Sequence, residues 1–143
     1  MSSRHVQSLL VFTRLPKPGT TKTRLIPALS AEGAAELQRR MTLQTVGRAW
    51  VLSAILPETR LIIAYEGGTA LEMRDWLGPL CYQEQTQGDL GTRLKQAMML
   101  AHMQGARKIV IIGTDCPSLT EDRLLEAFAM LDDVDLEFAV GVG

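Results

Sequence analysis

Lys22 and Arg24 stand two residues apart in a stretch that also carries Arg14 and Lys17, four cations within eleven residues. Pro16 and Pro18 stiffen this stretch, Gly19 follows them, and the apolar run Leu9-Leu10-Val11-Phe12 precedes it. In an extended loop Lys22 and Arg24 face the same side. Arg24 can then grip a phosphate through two parallel N–H donors while Lys22 adds a point charge, so the pair suits a diphosphate. Arg14 and Lys17 are weaker members of the same cationic set. The competing reading is a solvated loop whose charges do nothing specific. A P-loop is excluded, because that pattern needs glycine immediately before the lysine and Thr21 stands there. The Rossmann fingerprint is excluded too, since Gly19 is the only glycine of the loop.

Two further segments carry chemistry. Asp115 follows Gly113-Thr114 at the end of a β-branched run, a place where a carboxylate can hold a hard cation such as Mg²⁺ or Mn²⁺ against phosphate oxygens. It reads equally as a turn or cap residue. Cys116 beside it is a packed small residue or a reactive thiol, and packing is the commoner role. In Gly88-Asp89-Leu90-Gly91-Thr92-Arg93, Asp89 is placed to cap a helix and Arg93 to pair with it one turn later. Alternatively, Gly88 and Gly91 let the backbone approach a base or ribose while Arg93 faces the ligand. A glycine in a helix's first turn costs about 1 kcal/mol against alanine. No general base is visible: His5 precedes the first strand, His102 falls on a helix, and both read as ordinary surface or core histidines. The catalytic residues are therefore unknown at this level.

These segments need a scaffold, and the patterning supplies an alternation of strands and helices. Residues 7–13 read as a buried strand, and Ser30 offers an N-cap for a long helix to about Leu52. That helix has two apolar rows, Leu37 with Met41, and Leu43 with Val46 and Trp50, which predicts broad coverage by a sheet. Residues 61–65 form a second strand, Gly67-Gly68 a turn, residues 69–77 a short helix, and residues 80–85 a weaker third strand. Leu90, Leu94, Ala97, Met98 and Ala101 recur at helical spacing over 89–103. Residues 108–112 are strand-like, Thr120 can cap a helix to about Leu131, and residues 136–140 make a last strand. The order βαβαβαβαβ implies a three-layer α/β/α sandwich around a mostly parallel sheet, in a single domain over 1–143. Ligands of such sheets bind beyond the carboxyl ends of the strands, where all three segments fall.

Composition bounds the function class. The chain has 143 residues, 46% hydrophobic, enough for one cored domain. A net charge of -1 and a pI near 6.1 argue against nucleic-acid binding, so the cationic loop is a local feature. Cys81 and Cys116 lie 35 residues apart without metal-type spacing and read as reduced thiols. Apolar runs fall short of the roughly 18 residues a membrane span needs, and no signal peptide is legible. The expectation is a soluble, cytoplasmic protein.

Three motifs now carry a resemblance. Pro16-x-Pro18-Gly19-x-x-Lys22-Thr23-Arg24-Leu25, Gln87-Gly88-Asp89-Leu90-Gly91-x-Arg93 and Ile112-Gly113-Thr114-Asp115-Cys116-Pro117 resemble the DUF2064 family of transferases. Its members are described as glycosyltransferase-like proteins associated with radical-SAM, selenium-domain or arsenosugar gene clusters, and they are similar to the GT-A and nucleotidyltransferase fold. The resemblance implies that Lys22 and Arg24 meet nucleotide phosphates, that Asp89 and Arg93 border the nucleoside, and that Asp115 holds Mg²⁺ or Mn²⁺; Arg14 and Gly88 join the nucleotide-binding candidates from the residue reading above. It implies a nucleotide sugar, or a nucleoside triphosphate in a nucleotidyltransferase, together with a small-molecule acceptor. Family members continue past this point into a Gly-Pro-Ala segment and an Asp-Gly-Gly-Tyr motif, whereas here residues 136–140 are followed only by Gly141-Val142-Gly143. The expectation is a C-terminally truncated domain lacking the acceptor segment. A third reading, a non-catalytic nucleotide-binding remnant, follows from it, as does dimerisation to cover an exposed apolar edge.

Overall fold

A computed structural model of the chain describes residues 7–19, 25–114, 121–130 and 137–141. The elements are β1 (Gln7–Arg14), α1 (Ile26–Ile55), β2 (Thr59–Glu66), α2 (Ala70–Leu77), β3 (Cys81–Glu84), α3 (Leu90–Met103), β4 (Lys108–Ile112), α4 (Glu121–Met130) and β5 (Glu137–Gly141). The βαβαβαβαβ order read from the sequence is the order found. Among the described residues the sheet has five strands in the order β3-β2-β1-β4-β5, every pair parallel. Leu9 pairs with Leu61 on one side and with Val110 on the other, so the central strand is β1.

The middle of β1, Leu9 to Phe12, is apolar because both of its faces are covered, as parallel strands require. Leu9 and Val11 join Ile63, Val110, Leu52 of α1, Met73 of α2, and Leu124 and Phe128 of α4 in the larger core. Leu10 faces the other way, with Ile62, Ile109, Ile111 and Ala97 and Ala101 of α3. The result is the expected three-layer sandwich, with α1, α2 and α4 on one face and α3 on the other. Each fully buried Leu or Ile contributes about 1.5–3 kcal/mol, so these two clusters hold the fold against chain entropy far more than any surface ion pair.

The helix starts follow local chemistry. Ser30 adopts φ 67° and ψ 167° inside α1, and its Oγ accepts the Gly33 N–H at 3.1 Å. It is thus the N-cap of the long segment, with a short helical piece from Ile26 ahead of it. Thr69 and Glu72 form a reciprocal capping box: the Glu72 N–H donates to Thr69 Oγ1 at 3.1 Å, and the Thr69 N–H donates to Glu72 Oε1 at 2.9 Å. Asp89 Oδ1 accepts the Thr92 N–H at 2.8 Å and opens α3. Thr120 lies outside the described residues.

The apolar rows expected on α1 are corrected. Leu43 is 40% and Trp50 59% exposed, and only Val46 of the second row is buried. The face against the sheet is built instead from Ala34, Ala35, Gln38, Thr42, Thr45, Ala49 and Leu52. Small residues bring the helix close to β1, and the polar ones satisfy each other there. The Thr13 and Thr42 hydroxyls are 2.8 Å apart, and Gln38 Nε2 donates to both at 3.1 Å. Hydrophobicity alone misjudges such a face because a satisfied polar group is cheap to bury. Among the described residues no helix is long and apolar enough to cross a membrane.

Candidate functional site

The chain runs from β1 out to β2 and β3 on one side and returns to β4 on the other side of β1. That reversal of strand order places a crevice beyond the carboxyl ends of the strands, where the loops after β1, β2, β3 and β4 gather. A cavity of about 260 Å³ lies there, open to solvent. Arg14 and Glu66 line it from the ends of β1 and β2, and Gln85 from just beyond β3. Gly113 and Thr114 follow β4, Leu90 and Arg93 come from the first turn of α3, and Gln38 from α1.

Its wall is a polar network centred on Glu66. Arg14 Nη1 lies 3.2 Å from Glu66 Oε1, and Arg93 Nη1 lies 3.1 Å from Glu66 Oε2. Arg93 Nη1 also donates to Gln85 Oε1 at 2.8 Å. Gln85 is itself fixed, since its Nε2 donates to the carbonyls of Ala64 at 2.9 Å and Thr13 at 3.2 Å. Two guanidiniums thus share one carboxylate, leaving one unit of positive charge on this wall. The Nε atoms of both arginines are buried without an acceptor among the described residues. Buried donors of this kind are rare and mark an arrangement that its own side chains do not complete.

Gly67 makes the Arg14 position possible. Its φ of +84° suits glycine, and a Cβ there would stand 3.1 Å from Arg14 Cγ and 3.3 Å from Arg14 Nε. The start of the cationic loop is tied to the same edge: the Leu15 N–H donates to the Glu66 carbonyl at 2.9 Å, and Lys17 Nζ lies 3.7 Å from Glu72 Oε2. The Glu72 carboxyl is held below its ordinary range, first by the Thr69 N–H and more weakly by Lys17.

Of the residues read from the sequence, Arg14 and Arg93 meet across the cavity. Arg93 makes its ion pair with Glu66, rather than with Asp89 one turn earlier. Asp89 is a helix cap, and neither it nor Gly88 lines the cavity. Its carboxyl is held below the ordinary value of 3.8, chiefly by the Thr92 N–H, with the Arg93 charge a lesser cause. Gly88 has φ +124°, and a Cβ there would meet Thr92 Cγ2 at 3.1 Å. Lys22, Arg24, Asp115 and Cys116 lie outside the described residues, as does His5. His102 Nδ1 lies 3.4 Å from the Ala106 carbonyl at the end of α3, and Cys81 is a free, exposed thiol. Among the described residues no group of three or more His, Cys, Asp or Glu could hold a metal ion. The one carboxylate of the cavity wall is engaged by two arginines, so these donors alone do not fit a divalent cation.

Glu66, Gln85 and Gln38 are the site residues that sequence reasoning missed. The first two had a usable signal, since Gln85 ends the strand expected over 80–85 and Glu66 directly follows the one expected over 61–65. Gln38 had none, standing mid-helix in a polar stretch.

Fold and site together define a parallel α/β sandwich with a cationic crevice at its topological switch point. A similar fold occurs in a crystal structure described as that of a "putative nucleotide-diphospho-sugar transferase" from Desulfovibrio desulfuricans G20. The two match with a TM-score of 0.78 and 30% identity over 90% of this chain and 55% of that one. The chain therefore spans little more than half the length of that protein. It belongs to the DUF2064 family, described as uncharacterized proteins conserved in bacteria, whose match covers residues 51–142. Glu66, Gln85, Arg93 and Asp115 fall inside that match, and the cationic loop precedes it. No curated protein matches the chain.

Proposed function

We propose that the cavity binds the phosphates of a nucleotide-diphospho-sugar and that the chain carries the donor-binding half of a glycosyltransferase-like reaction. The observation that carries this reading is the sharing of one carboxylate, Glu66, by Arg14 and Arg93 at the switch point. In glycosyl transfer the leaving group is a nucleoside diphosphate, and fixed guanidiniums stabilise the charge that builds on it as the glycosidic bond breaks. Lys22 and Arg24 extend the same cationic surface in this reading. The similarity to the Desulfovibrio protein supports the donor class.

Asp115 is proposed as a ligand for Mg²⁺ or Mn²⁺. The support is its place in sequence, one residue beyond Thr114 of the cavity wall. Phosphate binding by the arginines does not depend on it.

A thermal-shift series with nucleotide diphosphate sugars and nucleoside triphosphates, each with and without Mn²⁺, tests the reading. A ligand present at 100 times its Kd raises apparent stability by about 2.7 kcal/mol. The expected result is a Tm increase with a nucleotide diphosphate sugar that Mn²⁺ enlarges. A shift with triphosphates only would move the assignment to nucleotidyl transfer, and no shift with either donor would leave a non-catalytic domain.

A further inference from the structure

Gln38 is 95% buried, at 5% residual exposure, yet it is part of the cavity wall. Its Nε2 donates to Thr13 Oγ1 and Thr42 Oγ1, both at 3.1 Å, and to the Arg14 carbonyl at 3.3 Å. A carbonyl can only accept, so the bond to Arg14 sets which end of the amide is nitrogen. All the donor capacity of the side chain is therefore spent on β1 and α1. Oε1 receives no hydrogen bond from any described residue, and it is not one of the buried side-chain atoms left without a partner, so it stays reachable by solvent. The side chain is rigid, its donor half is saturated, and the half left over is a pure acceptor beside an open cavity. Phe12 and Leu90 flank this region as apolar wall, next to the guanidiniums of Arg14 and Arg93.

We propose that Gln38 is a selectivity residue for the nucleoside part of the ligand: its Oε1 accepts a hydrogen bond from a ribose hydroxyl or a base N–H. The inference rests on the nucleotide reading of this cavity and adds to it a specific acceptor. An acceptor locked in place rejects a ligand lacking the donor, because the oxygen is then left desolvated and unpaired. Thr42 and Thr13 act through Gln38, as positioning residues.

The test is isothermal titration of UDP and GDP against 2′-deoxy, 3′-deoxy and base N-methyl analogues, in the wild-type protein and in Gln38→Met. One donor-deleted analogue is expected to bind the wild type about tenfold more weakly than its parent. That gap is expected to shrink below about twofold in Gln38→Met, as a coupling between the two deletions requires. The analogue that shows the gap distinguishes hydroxyl from base N–H. Equal affinities for all analogues in the wild type, or a gap of the same size in Gln38→Met, would overturn the inference while leaving nucleotide binding intact. If neither UDP nor GDP binds the wild type, the functional reading falls and takes this inference with it. Gln38→Ala removes the same oxygen without a long side chain to repack, so it decides the matter should Gln38→Met not fold: the gap is expected to shrink likewise, and a gap of wild-type size would count against the assignment.

Discussion

Arg93, in the first turn of α3, reaches Glu66 at the end of β2 with 3.1 Å between Nη1 and Oε2, joining residues 27 apart in sequence. The contact fastens the helix on one face of the sheet to the carboxyl end of a strand next to the centre. Arg14 closes on the other carboxylate oxygen at 3.2 Å, so Glu66 is the hinge pin of the cavity wall. Its energetic weight as a stabilising pair is modest, because 35% of the Arg14 side chain and 38% of the Glu66 side chain remain exposed. Its weight in setting the charge of the cavity is larger.

Glu66→Gln removes the counter-charge and keeps an acceptor for only one of the two guanidiniums. Affinity for inorganic diphosphate is expected to rise several-fold at low ionic strength, and the gain to fade as salt passes about 0.15 M. Stability is expected to change by less than about 1 kcal/mol. Titration calorimetry at two salt concentrations checks this, and unchanged affinity at low salt would show that Glu66 does not compete with a ligand for the arginines.

Gly67→Ala places a methyl group against Arg14 at a backbone φ of +84°. A loss of about 1–2 kcal/mol in urea unfolding is expected, together with weaker nucleotide binding as Arg14 is displaced. Gly47→Ala is the control. Nothing lies within 4 Å of a Cβ at that helical position, and replacing glycine there is expected to stabilise by about 0.5–1 kcal/mol.

The double substitution Lys22→Ala with Arg24→Ala is expected to weaken nucleotide binding at least tenfold with Tm nearly unchanged. A large drop in Tm with intact binding would make the two cations structural.

Asp115→Asn is expected to abolish the Mn²⁺ enhancement of nucleotide binding, leaving the metal-independent part in place. Titrating Mn²⁺ into the nucleotide-saturated protein reads this directly, and wild-type behaviour of the variant would remove Asp115 as a ligand.

Asp89 links the start of α3 to acid stability. Its folded-state pKa lies below the ordinary 3.8, so its contribution is present above that value and is lost as pH falls through the folded pKa. Glu36, held by Arg39 and then Arg40 down to about 2, acts with the same sign at lower pH. Asp89→Asn retains a cap acceptor without the titration. The fall in Tm between pH 7 and pH 3 is expected to be smaller in the variant, and an identical fall would show that Asp89 does not contribute to it.

The strand and helix succession was legible because each signal is local. A β-branched run such as residues 108–112, a capping residue such as Ser30 or Asp89, and the spacing of Leu94, Ala97 and Ala101 act within one turn or one strand. α1 shows where such reading fails. The apolar Leu43 and Trp50 face outward, and Gln38 and Thr42 face inward, because the partner at that surface is the Thr13 hydroxyl, 25 residues before Gln38 and 29 before Thr42.

By itself the sequence determined the alternation of elements, the parallel three-layer class, and two of the arginines at the cavity, Arg14 and Arg93. All three follow from short-range periodicity and from the rule that loops gather at the carboxyl ends of parallel strands. Only the tertiary structure decided which acid those arginines share, that Asp89 is spent on a helix cap, and that Gln38 and Gln85 join the wall. A side chain's partner across a sheet depends on strand order and register, and β3-β2-β1-β4-β5 brings together residues that no local pattern connects.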